Sequence, residues 1–231
     1  MHLLILGATG RTGLYGYKYA LDQGFSVTIL VRKADGIEPH DHLTVIEGSS
    51  LSEEDMQRAF KAAGLPVDAV LVFLNAPRVG QNPWGKFLGP PRLIADSTKI
   101  AAQSLRTQNP GPNGHKPRLV VMNALGVGES YAVTPYIVRF MIKFSNVSES
   151  YKDHNAVNDE IEAACGDEVL WTLPMPVGLK DSGQAPVKTF NITESGASLF
   201  MTRESCARWM VDVAVGKQGD RFDNRRVIVS N

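Results

Sequence analysis

Leu3-Leu4-Ile5-Leu6-Gly7-Ala8-Thr9-Gly10-Arg11-Thr12-Gly13 is the stretch on which the fold class turns. Leu3–Leu6 is apolar throughout rather than alternating, the pattern of a strand covered on both faces. Three glycines in GxxGxxG spacing follow at once, and Thr12–Gln23 then reads as a helix. Strand, glycine turn and helix in that order fit a turn that grips a diphosphate. Gly7 permits the tight turn, Gly10 lets backbone approach the anion, and Gly13 lets helix and strand pack closely. The amides of the helix N-terminus, from the Ala8, Thr9, Arg11 and Thr12 region, then face the phosphates.

The alternation continues outward from this stretch. Ser26–Val31, Leu43–Ile46, Ala69–Leu74, Leu119–Met122, Leu170–Leu173 and Val227–Val229 read as further strands. Glu53–Ala63, Leu93–Thr107, Tyr151–Ala164 and Arg203–Val215 read as helices, and Ser52 with Asp55 resembles a capping box with Asp in place of Glu. Repeated strand–helix–strand units imply right-handed crossovers and an α/β doubly wound parallel sheet. Gly and Pro cluster in Ala76–Pro91, Asn109–Pro117 and Pro174–Pro186. The first and third follow strands, at the carboxyl edge where open α/β sheets bind ligands. The second precedes a strand and reads as a surface turn on the opposite edge. With no internal repeat or separating linker, residues 1–231 are expected to form one domain.

Composition narrows the class. The 231 residues are 43% hydrophobic and 21% charged, and 24 Lys+Arg balance 24 Asp+Glu. No overall basic field exists to hold nucleic acid or an anionic membrane. The longest apolar run, Ala69–Leu74, cannot span a bilayer, and the N-terminal apolar run is too short for a signal peptide. Cys165 and Cys206 cannot build a disulfide framework and suit a reducing, cytoplasmic compartment. The five histidines lack zinc-like spacing, so no metal is expected. No G-x-S-x-G follows a strand either, which argues against a hydrolase nucleophile.

Arg32 and Lys33 follow the second strand, about twenty residues beyond the last glycine of the turn. A chain preferring NAD carries Asp or Glu there to hold the ribose 2′-hydroxyl. Two cations, with Arg11 in the turn, instead suit a 2′-phosphate. The expected cofactor is NADP(H).

These residues resemble the atypical short-chain dehydrogenase/reductase group, in particular its NmrA-like and biliverdin-reductase-B-like NAD(P)H-binding members. GATGRTG after the first strand and Arg32 after the second carry the likeness. Glu47-Gly48-Ser49, Trp171-Thr172-Leu173-Pro174 and Thr202-Arg203-Glu204-Ser205-Cys206-Ala207 extend it. The resemblance implies a Rossmann-like sheet of about seven strands in the order 3-2-1-4-5-6-7, with a small C-terminal substrate-facing region. It also implies that Ser49 sits beside adenine in place of the usual Asp. Asn75 and Ala76 would run along the cofactor, and Asn123 would stand where an active reductase usually places Ser.

In the parent superfamily a Tyr protonates the carbonyl and a Lys four residues later lowers its pKa. Counting back from Gly166 puts that Tyr on Tyr151 and that Lys on Asn155. Without the ammonium, Tyr151 is expected to titrate near its solution value, with His154 on the same helix face as a substitute. Tyr131 and Tyr136 are rival donors. If Tyr151 and His154 have no such role, the first is a packing residue and the second faces solvent. Ile137, Val138, Phe140, Met141, Ile142 and Phe144 fit a short apolar helix. With Trp84, Phe87, Met175 and Val177 they would line an apolar pocket, form a homodimer interface, or pack into the core.

The sequence thus favours an NADPH-dependent oxidoreductase passing hydride to a hydrophobic, conjugated or aromatic small molecule. Two alternatives stay open: a non-catalytic NADP(H)-binding redox-sensing regulator, and an isomerase or cyclase on the same fold.

Overall fold

The structure, a computed structural model, describes residues 1–75, 77–80, 83–108, 114–181 and 183–231. It opens with β1 (His2–Leu6), α1 (Gly13–Asp22), β2 (Ser26–Val31), β3 (Leu43–Glu47) and α2 (Glu53–Lys61). Next come β4 (Ala69–Val72), α3 (Leu93–Thr107), β5 (Arg118–Val121), a 3-10 helix (Gly128–Val133), α4 (Tyr136–Phe144) and α5 (Val147–Cys165). The chain finishes with β6 (Leu170–Pro176), β7 (Gly178–Lys180), β8 (Lys188–Phe190), β9 (Phe200–Thr202), α6 (Arg203–Ala214) and β10 (Arg225–Ser230).

The main sheet has eight strands in the order β3-β2-β1-β4-β5-β6-β10-β8. All its pairs are parallel except β10–β8. The doubly wound order 3-2-1-4-5-6 is therefore present, and the expected seventh strand, Val227–Val229, lies in β10 beside β6. The antiparallel edge strand β8 and a separate β7–β9 pair exceed the seven strands expected. β7, β8 and β9 are three residues each, too short to show a period of two.

Successive strand residues feed opposite layers. Leu3, Ile5, Ile29 and Leu71 pack with Ala207, Met210 and Val211 of α6. Leu4, Leu6, Val70 and Val72 pack with Met56 of α2, Ile94 of α3 and Ile161 of α5. Both faces are covered, which is why these strands carry no polar alternation.

β6 runs through Pro174 and Pro176, where the sequence placed a loop. A strand residue points its N–H and C=O to the same side. Asn123 N–H donates to Pro174 O at 2.8 Å and Leu125 N–H to Pro176 O at 3.1 Å, so both prolines face β5. Their missing donors fall beyond Val121, where β5 has ended and no ladder needs them.

At α2 the capping box is half formed. Ser52 Oγ accepts from Asp55 N–H at 3.2 Å, but the Asp55 carboxylate turns away to Ser49 N–H at 2.8 Å. The stretch Asn109–Pro117 lies in part outside the described residues.

Candidate active site

Parallel register ends β1 to β6 on one edge, and the residues singled out from sequence follow those ends: Gly7–Gly13 after β1, Arg32 and Lys33 after β2, Ser49 after β3, Asn75 after β4 and Asn123 after β5. Ala76 lies outside the described residues.

The glycine turn is held by backbone on two sides. Gly7 has φ +79°, and a Cβ there would lie 2.8 Å from the carbonyl carbon of Phe73. A Cβ on Gly13 would lie 2.2 Å from Gly7 O, so α1 enters against the floor of the turn. Gly10 N–H donates to Gly7 O at 3.0 Å and closes the turn. Among the described residues, the N-cap Thr12 makes no side-chain capping bond and the first turn of α1 carries no acidic residue. The positive end of the helix dipole therefore faces the edge without a neutralising group, as an anion cradle requires.

Cations gather around this turn. Arg32 and Lys33 are exposed at the end of β2. Arg203, only 8% exposed, opens α6 and pairs with Asp181. Burial, and next the like charge of Arg11, loosens its hold on its proton. Tyr15 OH donates to Asp181 O at 3.3 Å, completing the cluster. In the sequence Arg203 stood out only as part of a helix-start motif. A cation in a first helical turn opposes the dipole, and that was the signal available.

Ser49 is committed locally. Its N–H binds Asp55 and its Oγ accepts from Leu51 N–H at 3.2 Å.

Tyr151, His154 and Asn123 meet where β5 faces α5. Tyr151 OH donates to Leu125 O at 2.7 Å, and burial pushes its pKa up to about 12. The expected solution-like value is thus corrected: desolvation of the phenolate dominates. His154 is 6% exposed, stands edge-on to the Tyr151 ring at 6.1 Å, and does not face solvent. Its Nδ1 is buried without a partner among the described residues, and burial lowers its pKa to about 4. Asn123 bridges the two elements: Nδ2 donates to His154 O at 3.2 Å and Oδ1 accepts from Ala124 N–H at 2.9 Å. Asn155, at the position of the family Lys, donates to Tyr151 O at 2.7 Å and accepts from Gly128 N–H at 3.1 Å. It holds the 3-10 helix against α5.

Other expected wall residues divide. Met175 and Val177 are buried in the core, the first within β6 and the second just past its end. Tyr131 and Tyr136 are exposed and flank the Arg139 guanidinium at 5.2 and 5.3 Å.

Asp153 escaped the sequence reading. It is 1% exposed and accepts from Ile94 N–H at 2.8 Å and Ala95 N–H at 2.9 Å, capping the start of α3. A carboxylate on the buried stripe Ser150, Asp153, His154, Val157, Ile161 was the available sign.

His154 makes acid stability testable. An unfolded histidine protonates near 6.5, the folded one near 4, so in between only the unfolded chain takes up the proton. Stability is full above 6.5 and falls as pH drops towards 4, by about 3 kcal/mol. His2, its pKa also lowered by burial, acts in the same direction. Urea midpoints at neutral pH and at about pH 4 should converge in His154→Leu relative to the parent.

An open parallel sheet with a glycine turn at the end of its first strand defines a dinucleotide-binding fold. A model of the NAD(P)H-binding family matches residues 7–215, and the chain belongs to that family. A search of curated protein sequences found no match. Among solved structures the chain is similar to ChuY, an anaerobillin reductase from Escherichia coli O157:H7. That likeness has a TM-score of 0.72 at 13% identity and covers 100% of this chain and 97% of that one. It is also similar to a short-chain dehydrogenase/reductase from Veillonella parvula in complex with NADP, with TM-score 0.74, 14% identity, and 100% and 94% coverage. A Rossmann-fold NAD(P)-binding family protein from Shigella flexneri gives TM-score 0.63, 16% identity, and 100% and 93% coverage. At such identities the likeness is one of fold.

Among the described residues no group of three or more His, Cys, Asp or Glu could hold a metal ion, and no helix is long and apolar enough to cross a membrane. Cys165 and Cys206 are free and buried, and burial pushes both thiols up to about 12.

Proposed function

We propose that this chain is an NADPH-dependent reductase that passes hydride to a flat, conjugated, hydrophobic small molecule. The observation that carries the reading is the turn Gly7–Gly13, where backbone fills the space of any Cβ on Gly7 or Gly13 and α1 presents an uncapped N-terminus. Arg32 and Lys33 support NADPH over NADH, because a 2′-phosphate needs cations where a 2′-hydroxyl needs a carboxylate. Arg11, beside the buried Arg203, adds positive potential at the turn. When bound, the cofactor supplies the hydride.

The chain's own part is to bind and to orient. The backbone amides of the glycine turn at the entry to α1 take the diphosphate, and Arg32 with Lys33 take the 2′-phosphate. Tyr151, His154 and Asn123 act as positioning residues. The phenol is tied to Leu125 O and resists ionisation, the imidazole is buried and neutral, and the amide spans β5 and α5. None is a ready proton donor, so the proton comes from water. A quinone, flavin or enone tolerates this because its reduced form is delocalised; a simple aldehyde, which needs an acid beside its oxygen, does not.

Steady-state NADPH oxidation against a panel of quinones, flavins, enones and aldehydes tests the reading, with turnover expected only for conjugated acceptors. Tyr151→Phe should keep turnover within about threefold, whereas loss of a proton donor costs about 100-fold or more. The same engaged side chains favour one other reading, a non-catalytic sensor of NADP(H). Tight NADPH binding with no acceptor reduced would select it.

A further inference from the structure

α4 is apolar on its outward side as well as on the side that rests on the fold. None of its residues is buried. Tyr136, Ile137, Phe140 and Phe144 are 86, 62, 53 and 58% exposed, while Val138, Met141 and Ile142 are half-covered. A helix lying on a soluble fold puts polar residues outward, so this face lacks its partner. The face continues onto the segment after β4: Asn146 Nδ2 donates to Trp84 O at 2.7 Å, which sets the exposed Trp84 beside the α4–α5 junction.

Charge indicates what covers it. The chain as a whole is neutral, yet no Asp or Glu occurs between Asp68 and Asp96 or between Glu129 and Glu149. Those two stretches hold Arg78, Lys86, Arg92, Arg139 and Lys143. Arg92 is neutralised by Asp96 and Glu160. Lys143 lies over the Phe144 ring at 5.3 Å and Arg139 over Tyr136, so cations and exposed aromatics are interleaved.

We infer that this face docks on an anionic lipid surface. The rings of Trp84, Tyr136, Phe140 and Phe144 enter the headgroup layer, and the exposed Lys86 and Lys143 lie against lipid phosphates, while the Arg139 guanidinium stays bound to Thr134 O and Ala132 O. A second copy fits less well, because a two-fold contact brings the same cations together and neither stretch holds a carboxylate to neutralise them. The zero net charge that argued against a membrane partner is a sum over the chain; the charges are segregated. The inference does not depend on the cofactor.

Co-sedimentation of the full chain with vesicles tests it. Binding to phosphatidylcholine vesicles containing phosphatidylserine should exceed binding to pure phosphatidylcholine by about tenfold and fade at high salt. Phe140→Glu with Phe144→Glu should abolish it, and Lys143→Glu should weaken it several-fold. Both rings are solvent-exposed, so these variants should keep the parent's circular dichroism. Equal sedimentation with both vesicle types, or undiminished binding by the double variant, would overturn the inference. So would a solution dimer that Phe140→Glu splits, since the face then belongs to a second copy. A chain that binds anionic vesicles but no NADPH would leave the lipid site standing while removing the proposed reductase.

Discussion

Gly13→Ala should abolish measurable NADPH binding and lower stability by about 1–3 kcal/mol, the usual cost of forcing volume into a packed site. The added methyl would lie 2.2 Å from Gly7 O, 2.9 Å from Gly7 C and 3.0 Å from Ala8 Cα. All three are backbone atoms, so no rotamer relieves the clash. Nor can Gly7 retreat, because the Cβ position on its own far side lies within 3.0 Å of Phe73 and Leu74 backbone atoms. The turn sits between β4 and α1, and the only relief is for α1 to move outward. That displaces the helix N-terminus from the diphosphate it is proposed to hold, so stability and affinity fall together. Thermal unfolding and isothermal titration calorimetry on the same preparation separate the two losses. A variant that still bound NADPH within about threefold of the parent would show that the turn is not the phosphate site.

What was legible in the sequence followed from burial on two faces. Leu3–Leu6 and Ser26–Val31 had to be inner parallel strands because no other common element hides every side chain of a short run. Residues that act through partners distant in sequence were not legible. Pro174 and Pro176 read as the end of a strand. Whether a strand tolerates proline depends on which side the missing donor faces, and that is set by where β5 stops. Asp153 drew no notice in the sequence and His154 stood as a substitute donor or a solvent-facing residue, because only the packing of α5 shows them turned onto α3 and β5. Likewise, the elevated pKa of Tyr151 comes from burial, which a tyrosine–lysine spacing cannot report. The apolar character of α4 was plain, but only the structure shows that Tyr136, Ile137, Phe140 and Phe144 face out.

Arg32→Asp combined with Lys33→Ala should invert the coenzyme preference. In the parent, both cations are exposed at the end of β2, where the adenosine ribose of a dinucleotide lies in this fold. A 2′-phosphate there gains charge-assisted hydrogen bonds, each contributing about 1.5–3 kcal/mol. Solvent screening at exposed positions reduces the pair to about 3 kcal/mol, a change of roughly 100-fold in NADPH dissociation constant. The variant carboxylate repels that phosphate but accepts a hydrogen bond from an unphosphorylated 2′-hydroxyl. NADH affinity should therefore hold or rise a few-fold while NADPH affinity collapses. Because neither side chain is buried, the melting temperature should stay close to the parent's, which separates a lost contact from a lost fold. Salt supplies an independent check: raising ionic strength should weaken NADPH binding to the parent more than NADH binding, and the variant should show no such difference. If parent and variant instead bind the two coenzymes in the same ratio, the cations after β2 do not read the extra phosphate. Discrimination would then have to come from Arg11 in the glycine turn and Arg203 beside it.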